Sequence, residues 1–365
     1  MNSRRHRRED LSELEVTDEQ LLLLLNQRAE LFRAKQEAER SMNQGQSSLK
    51  ETVREAQFVQ RLQELNQGPL TDDQIESLFR EIESCCSSLQ SPTIIAFQAR
   101  SGTPVEDAAL QHFGTGVSLV PQATVNGVFR SVEKGTASYG IVPIEGNIDR
   151  SFSVTFDCFL QRNVKICGEV PYALRYAILA RPHTPLDAID VVYAQADALT
   201  ACRDWLQRHL PHIQTQEVAS GTEAVQYAQD RKNSAAIAGK LRVEQFQLEV
   251  LQDNIEDEAE NYVRYVILGS ESGIPSGNDK TSIIVSSKDE PGALYRILSP
   301  FQKYNISLSR IETRPIHSDG VFLFFLDFEG HESEKHVQKA LSAIEQVTKM
   351  VNRLGSYPKA SAHGV

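Results

Sequence analysis

Two arginines and a pair of short motifs carry much of the chemistry that this 365-residue chain can offer. Arg28, Arg54, Glu55 and Gln90 are spaced along a stretch that reads as helical, which points to a polar site inside apolar walls. A guanidinium makes a bidentate pair with a carboxylate, so two of them suit a dicarboxylate ligand. Taken singly, Arg54 and Glu55 also fit solvated surface charges. Far downstream, Gly292-Ala293-Leu294-Tyr295 follows Asp289-Glu290-Pro291, where an expected strand (281–286) turns into an expected helix (293–304). Glu312-Thr313-Arg314-Pro315 ends the next expected strand, 306–311. A glycine at a strand-to-helix turn lets backbone N–H groups approach a ligand, and the helix start favours an anion. The pair predicts a pocket for a small molecule with a carboxylate; an ordinary βα turn has the same spacing.

The elements that must position these residues fall into three textures. Residues 9–90 read as helical: Leu, Glu, Gln and Arg dominate, and no proline precedes Pro69. Leu14, Leu21, Leu24, Leu25, Arg28, Leu31 and Phe32 share one side of the first helix. Polar residues around Gly45 break it, Ser48-Leu49-Lys50-Glu51 offers a capping box for a second helix, and Thr71-Asp72-Asp73-Gln74 caps a third. These helices cannot bury their apolar stripes alone, so self-association is expected. From Thr93, short apolar strands alternate with helical stretches, with strand candidates at 93–97, 139–144, 174–180, 191–193 and 235–237. That alternation predicts α/β layers with parallel strands. Segment 270–280 is a Gly/Ser/Pro-rich linker, and the remainder follows a ferredoxin-like βαββαβ order.

Composition removes several functional classes. A net charge of −11 argues against nucleic acid as the main partner. The basic run Arg4–Arg8 meets Glu9 and Asp10 rather than an apolar segment, so it is not a secretory signal, and the Leu21–Leu25 run is far too short to span a membrane. The five scattered cysteines (Cys85, Cys86, Cys158, Cys167, Cys202) form no CxxC pair and read as reduced packing residues of a cytoplasmic protein.

Several segments carry a family resemblance. The motifs around Gly292 and Glu312 resemble the G-A-L and E-S-R-P motifs of a phenylalanine-binding ACT domain, with Thr313 in place of Ser. The likeness continues through 325–331 to Leu354-Gly355-Ser356-Tyr357-Pro358, an ending characteristic of bifunctional chorismate mutase/prephenate dehydratases. The helical segment resembles an AroQ-type mutase. There the arginines would clamp the carboxylates of chorismate, with Glu55 and Gln90 addressing the breaking ether and the ring hydroxyl. Leu11 and Glu39 stand where that family has an Arg and a Lys. Region 93–269 resembles a prephenate dehydratase in Gly102-Thr103, Val142-Pro143-Ile144-Glu145, 160–170, Ala198-Leu199, Cys202 and Asn261 through Tyr265.

The resemblance implies three parts. They are an all-α mutase-like domain at 9–90, a two-subdomain α/β dehydratase-like domain at 93–269 and an α+β ferredoxin-like ACT domain at 279–358. The implied function is chorismate to prephenate to phenylpyruvate, with feedback by L-phenylalanine at Gly292, Ala293, Leu294, Glu312, Thr313, Arg314 and Pro315. Dehydration expels a ring hydroxide as carbon dioxide leaves, so it needs a proton donor. The family donor is the Thr of a T-R-F motif, where this chain has Val263. Thr103, Glu145, Ser151, Thr222 and Arg264 are the polar candidates that the pattern leaves. Alternative readings are a non-aromatising decarboxylase acting on prephenate, or a weakly catalytic phenylalanine sensor. No metal or organic cofactor is implied, and the expected assembly is a homodimer or homotetramer.

Overall fold

A computed structural model describes residues 2–41, 58, 61–89, 92–98, 104–146, 152–239, 246–258, 261–316 and 321–360. The chain divides into two compact units, one of residues 1–93 with 113–118 and one of 94–112 with 119–365. The first is helical. Helix α1 (Asn2–Ser41) runs without a break, residues 61–65 are helical, and α2 spans Asp72–Ser88. The capping box expected at Thr71 is present: its hydroxyl accepts the Gln74 N–H at 3.3 Å, and the Gln74 carbonyl accepts the Thr71 N–H at 3.0 Å. Asp72 and Asp73 sit in the first turn, where the helix dipole favours them. The apolar stripe of α1 remains largely open within the unit, with Leu14, Leu21, Leu24 and Leu31 each more than half exposed. The capping box expected at Ser48 lies outside the described residues.

The second unit contains three sheets. The strands of the first two are β1 (Ile94–Gln98), β2 (Ser118–Gln122), β3 (Tyr139–Gly146), β4 (Lys165–Ala173), β5 (Ala177–Ala180), β6 (Val191–Ala194), β7 (Gln214–Glu217), β8 (Ser234–Ala238), β9 (Glu249–Asp253) and β10 (Tyr262–Gly269). One sheet has the order β2-β1-β3-β10-β4 and another β7-β6-β8-β5-β9. Helices α3 (Pro104–Phe113), α4 (Val125–Glu133) and α5 (Phe152–Gln161) belong to the first sheet's subdomain, and α6 (Ala196–Ala201), α7 (Arg203–His209) and α8 (Gly221–Asp230) to the second's. The expectation of parallel strands needs correction. β1 pairs with β3 in parallel, but β10 runs antiparallel to both β3 and β4, and β5 antiparallel to β8 and β9. Apolar runs report burial on both faces rather than chain direction, so central strands of either sense read alike. The candidate strand 174–180 is also shorter, because Leu174 to Tyr176 carry the chain from one sheet to the other and only 177–180 pair.

The third sheet closes the chain with β11 (Asp279–Lys288), β12 (Leu308–Ile316), β13 (Val321–Glu329) and β14 (Met350–Pro358), plus α9 (Ala293–Lys303) and α10 (Lys335–Val347). Its order β12-β13-β11-β14 realises the βαββαβ pattern. Two boundaries differ from expectation. Asp279 and Lys280 belong to β11 and are buried rather than part of a solvated linker, and Glu312 to Pro315 lie inside β12 rather than at its end. Pro315 is tolerated because β12 is an edge strand, where a missing N–H costs no ladder bond. All five cysteines are free, but Cys85 is exposed and so is not a packing residue; its place on the outer side of α2 separates it from buried Cys86. Among the described residues, no helix is long and apolar enough to cross a membrane.

The first and third sheets meet through an apolar layer and a buried charge cluster. Phe156, Val266 and Leu268 pack with Ile284, Phe325 and Leu354. Beside them, Arg264 gives Nε to Glu169 at 2.8 Å, Nη1 to Asp327 at 2.7 Å and to Glu145 at 3.1 Å, and Nη2 to the Tyr357 hydroxyl at 3.1 Å. Lys280 Nζ binds Glu169 at 2.7 and 2.8 Å, while Ser282 donates to Asp327 at 2.6 Å. Burial alone would drive the Arg264 proton off, but the carboxylates, Asp327 first, hold its pKa well above normal. Removing Asp327 takes the shortest partner from Arg264 and the acceptor from Ser282 inside a buried network, so Asp327→Ala is expected to cost about 3–5 kcal/mol of stability, read by urea unfolding.

Candidate functional site

Strand alternation decides which residues share a site. Cross-strand partners place their side chains on the same face, and neighbours in sequence on opposite faces. Val263 pairs with Gly146 of β3 on one side and Tyr172 of β4 on the other. A Cβ built on Gly146 would lie 3.2 Å from Val263 Cγ2 and 3.3 Å from Phe152 Cζ, so both side chains close over this glycine. Helix α3 covers the same face farther along: Gly168 pairs with Ile267, and its built Cβ is 3.8 Å from His112 Nε2. Five residues toward its start, α3 carries Asp107, whose Oδ2 is 3.8 Å from a Cβ built on Gly239 just past β8. Asp107 therefore sits where the two α/β subdomains face each other.

The strand ends explain why a crevice forms here. β1 and β3 run parallel in one sheet and β6, β7 and β8 in the other. Helices follow β1, β3, β6 and β7 directly or after short loops. Side chains from the carboxyl ends of such strands are the usual source of ligand contacts in α/β sheets. The crevice is weakly solvated, as its titratable groups report. Burial pushes the Asp107 carboxyl up to about 6. Burial and then the Asp107 charge push the Tyr172 phenol up; burial and then Asp197 raise Tyr176. Both phenols are neutral hydrogen-bond donors across the ordinary pH range.

Of the residues expected from sequence, Thr222 follows the carboxyl end of β7 in the second sheet's subdomain. It lies in the first turn of α8, where Ser220 is spent as N-cap, accepting the Glu223 N–H at 3.1 Å, and Glu223 returns to the Ala219 N–H at 2.9 Å. The Thr222 hydroxyl is buried and has no hydrogen-bond partner among the described residues. A buried hydroxyl without a partner carries a desolvation cost, which a bound ligand can offset.

Arg264 and Glu145 are placed differently. Both point to the other face of the first sheet, toward the third, and Arg264 spends its donors on four protein groups. Glu145 accepts the Tyr262 hydroxyl at 3.0 Å and Arg264 at 3.1 Å, and lies 3.5 Å from Arg310 Nε. The period-two alternation across 263–264 is the signal that separates the two roles. Arg28 donates to Cys86 Sγ at 3.3 Å and lies 3.9 Å from Glu83. Arg54, Glu55, Gln90, Thr103 and Ser151 lie outside the described residues. Asp107 and Tyr172 are absent from the sequence expectations. An acid in the first turn after a Gly-Thr reads as an ordinary dipole partner, and only the register shows what faces it.

The second candidate site is the pair of motifs on the third sheet. Gly292 is the left-handed N-cap of α9 (φ 81°), which favours glycine. Ala293 is buried, whereas Leu294 and Tyr295 are exposed. On β12, Glu312 and Arg314 turn inward. Glu312 lies 3.6 Å from Arg310, and the Arg314 guanidinium stacks 4.5 Å over the ring of Phe156 on α5. Arg310 also covers Phe156 at 5.5 Å and donates to the Ile144 carbonyl at 3.1 Å. Thr313 and Pro315 face outward, exposed.

Comparison with known proteins matches three family models along the chain. They are chorismate mutase type II over residues 12–91, prephenate dehydratase over 95–273 and ACT domain over 281–346. A bifunctional chorismate mutase/prephenate dehydratase of Pseudomonas aeruginosa is 38% identical over 353 residues, covering 95% of this chain and 96% of that one. One from Aquifex aeolicus is 35% identical over the same shares. A crystal structure of prephenate dehydratase from Arthrobacter aurescens in complex with L-Phe superposes with a TM-score of 0.66 at 29% identity, over 73% of this chain and 90% of that one.

The orphan hydroxyl makes a direct prediction. Thr222→Val removes a buried group that bonds to nothing in the free protein, so thermal unfolding should show stability unchanged or raised by about 1 kcal/mol. A hydroxyl engaged in an internal bond would instead give a loss.

Proposed function

The chain belongs to the bifunctional chorismate mutase/prephenate dehydratases, and on that premise we propose how its parts divide the work. The helical unit converts chorismate to prephenate. Arg28 and Arg54 hold the two substrate carboxylates, and Glu55 and Gln90 meet the breaking ether and the ring hydroxyl. This rearrangement needs no covalent step, so positioning and charge complementarity supply the rate. The α/β crevice converts prephenate to phenylpyruvate. Loss of carbon dioxide from the ring carbon pushes an electron pair into the ring, which becomes aromatic as the hydroxyl departs with a proton.

The observation that carries this reading is the convergence of Val263, Gly146, Phe152, Tyr172 and Asp107 at the strand ends between the subdomains. Val263 and Phe152 give the aromatising ring an apolar floor, and the Thr222 hydroxyl and neutral Tyr172 offer hydrogen bonds to its polar groups. Glu145 and Arg264 act from behind the sheet as positioning residues. Thr103 and Ser151 complete the substrate contacts by their places after β1 and before α5.

Feedback follows from α5. Phe152 at its start packs over Gly146, the partner of Val263, and against the apolar layer between the sheets, and Phe156, one turn later on the same helical side, lies under Arg310 and Arg314. An amino-acid carboxylate bound at Gly292, Ala293, Leu294, Glu312, Thr313, Arg314 and Pro315 would draw on Arg314 and so shift the packing of α5. Phenylalanine is the effector that this arrangement suits, in keeping with the L-Phe complex of the related Arthrobacter dehydratase. A second copy of the chain would cover the open leucines of α1 and the edge strand β12, which supports a homodimer or a homotetramer built from it.

Incubation with prephenate should yield phenylpyruvate, read by its alkaline absorbance and by mass. A product that has lost carbon dioxide but keeps the ring hydroxyl would instead favour decarboxylation alone, and no product at high enzyme concentration would remove the dehydratase assignment. Phe156→Leu keeps an apolar side chain but removes the aromatic face beneath the two arginines. Phenylalanine should still bind by calorimetry, while its inhibition of prephenate turnover weakens severalfold; unchanged inhibition would exclude α5 as the route.

A further inference from the structure

We propose that Asp107 is the general acid that delivers a proton to the departing ring hydroxyl of prephenate, in place of the donor that Val263 cannot be. The inference rests on the dehydratase reading above and adds the residue that completes its chemistry.

The geometry starts from β10. Val263 presents its side chain to the crevice and has no proton to give. Its cross-strand partner Tyr172 shares that face, and the Asp107 charge reaches the Tyr172 phenol. Asp107 is held there from two sides. Helix α3 is anchored on the sheet by buried Val105, Ala108 and Ala109, and Gly239 approaches the carboxyl from the second subdomain. A Cβ at 239 would lie 3.8 Å from Asp107 Oδ2, at ordinary contact distance, which places the acid at the subdomain boundary. Asp107 has no hydrogen-bond partner among the described residues, so its proton is not committed to the protein.

The proton balance is closed. The bond from the ring carbon to its carboxylate breaks, carbon dioxide leaves, and the electron pair enters the ring. The ring C–O bond then breaks, and the oxygen takes the Asp107 proton to leave as water. Asp107 remains as a carboxylate and is reprotonated from solvent once the crevice opens.

The environment supports this role. Burial lifts the carboxyl to about 6, so it retains a proton at a pH where an exposed aspartate has lost it. The titratable groups at this corner are Tyr172 from β4, Arg175 and Tyr176 from the segment joining the subdomains, and Glu106 and His112 on α3. The phenols are neutral, and Arg175 is paired with Glu256 at 3.1 Å. The active form is the protonated one, so turnover is full below the folded pKa and falls as pH rises through it, by about tenfold per unit well above it.

The test uses the full-length enzyme with prephenate. Asp107→Asn should lower kcat for phenylpyruvate formation by about 10²–10⁴-fold, with prephenate binding kept within a few fold by calorimetry, and Asp107→Glu should recover part of the loss. The wild-type kcat should fall above pH 6. Asp107→Asn also removes a charge that is costly to bury, so its melting temperature should exceed the wild type's at pH 8 and match it near pH 4. That measurement separates lost chemistry from lost folding. Turnover by Asp107→Asn within threefold of wild type, or a wild-type kcat flat from pH 5 to 8, overturns the role of Asp107 and leaves the dehydratase reading standing. A wild-type enzyme that makes no phenylpyruvate overturns both.

Discussion

The buried guanidinium of Arg264 is the constraint on which the second unit depends. It joins Glu169 on β4 and Glu145 on β3 to Asp327 and Tyr357 on the third sheet, and Lys280 supplies the second positive charge. Such a cluster is a poor source of net stability, because desolvating the ions offsets much of their attraction. What it does supply is discrimination. A slip of one residue along β10 would turn Arg264 into the crevice, and a slip of the third sheet would leave Asp327 facing hydrocarbon. Either error buries an unpaired charge, so only one docking of the two sheets is tolerated. Tyr357 fits the same logic: burial and the Asp327 charge keep its phenol neutral, able to accept from Arg264 while hydrogen-bonded to Ser282.

With that docking fixed, adjacent residues of β10 serve different masters. Val263 looks toward the crevice between the α/β subdomains and Arg264 toward the third sheet, a single peptide apart. Helix α5 links the two along one side, with Phe152 over Gly146, the partner of Val263, and Phe156 beneath the guanidiniums of β12. The third sheet thus needs no long chain of contacts to reach the proposed site. It forms the back wall of the sheet and helix whose front lines that site. Glu145 belongs to this wall, since Arg264 bonds it and Arg310 stands 3.5 Å away.

Much of the architecture was legible in the residues because it rests on local rules. The Thr71 box closes as its side chains dictate, the βαββαβ order follows from the spacing of apolar runs, and Gly292 takes the left-handed conformation that a turn before α9 requires. Strand direction was not legible, since a strand buried on both faces is apolar throughout whichever way it runs. The face that Arg264 and Glu145 occupy was not legible for a related reason. A motif groups residues by sequence, whereas a sheet sorts them by parity. Asp107 left no local sign at all, because its character comes from burial, and its neighbours Gly239 and Tyr172 lie far away along the chain.

The valine at 263 and the acid at 107 are best understood together. Valine and threonine have nearly the same shape, so the exchange leaves the packing over Gly146 and Phe152 intact while removing a hydroxyl from the crevice face. A hydroxyl there would be one more donor able to solvate a carboxylate and hold its pKa down. An apolar floor does the reverse and favours the protonated acid. An apolar residue on the strand and a buried acid on α3 therefore act in the same direction, toward a protonated carboxyl.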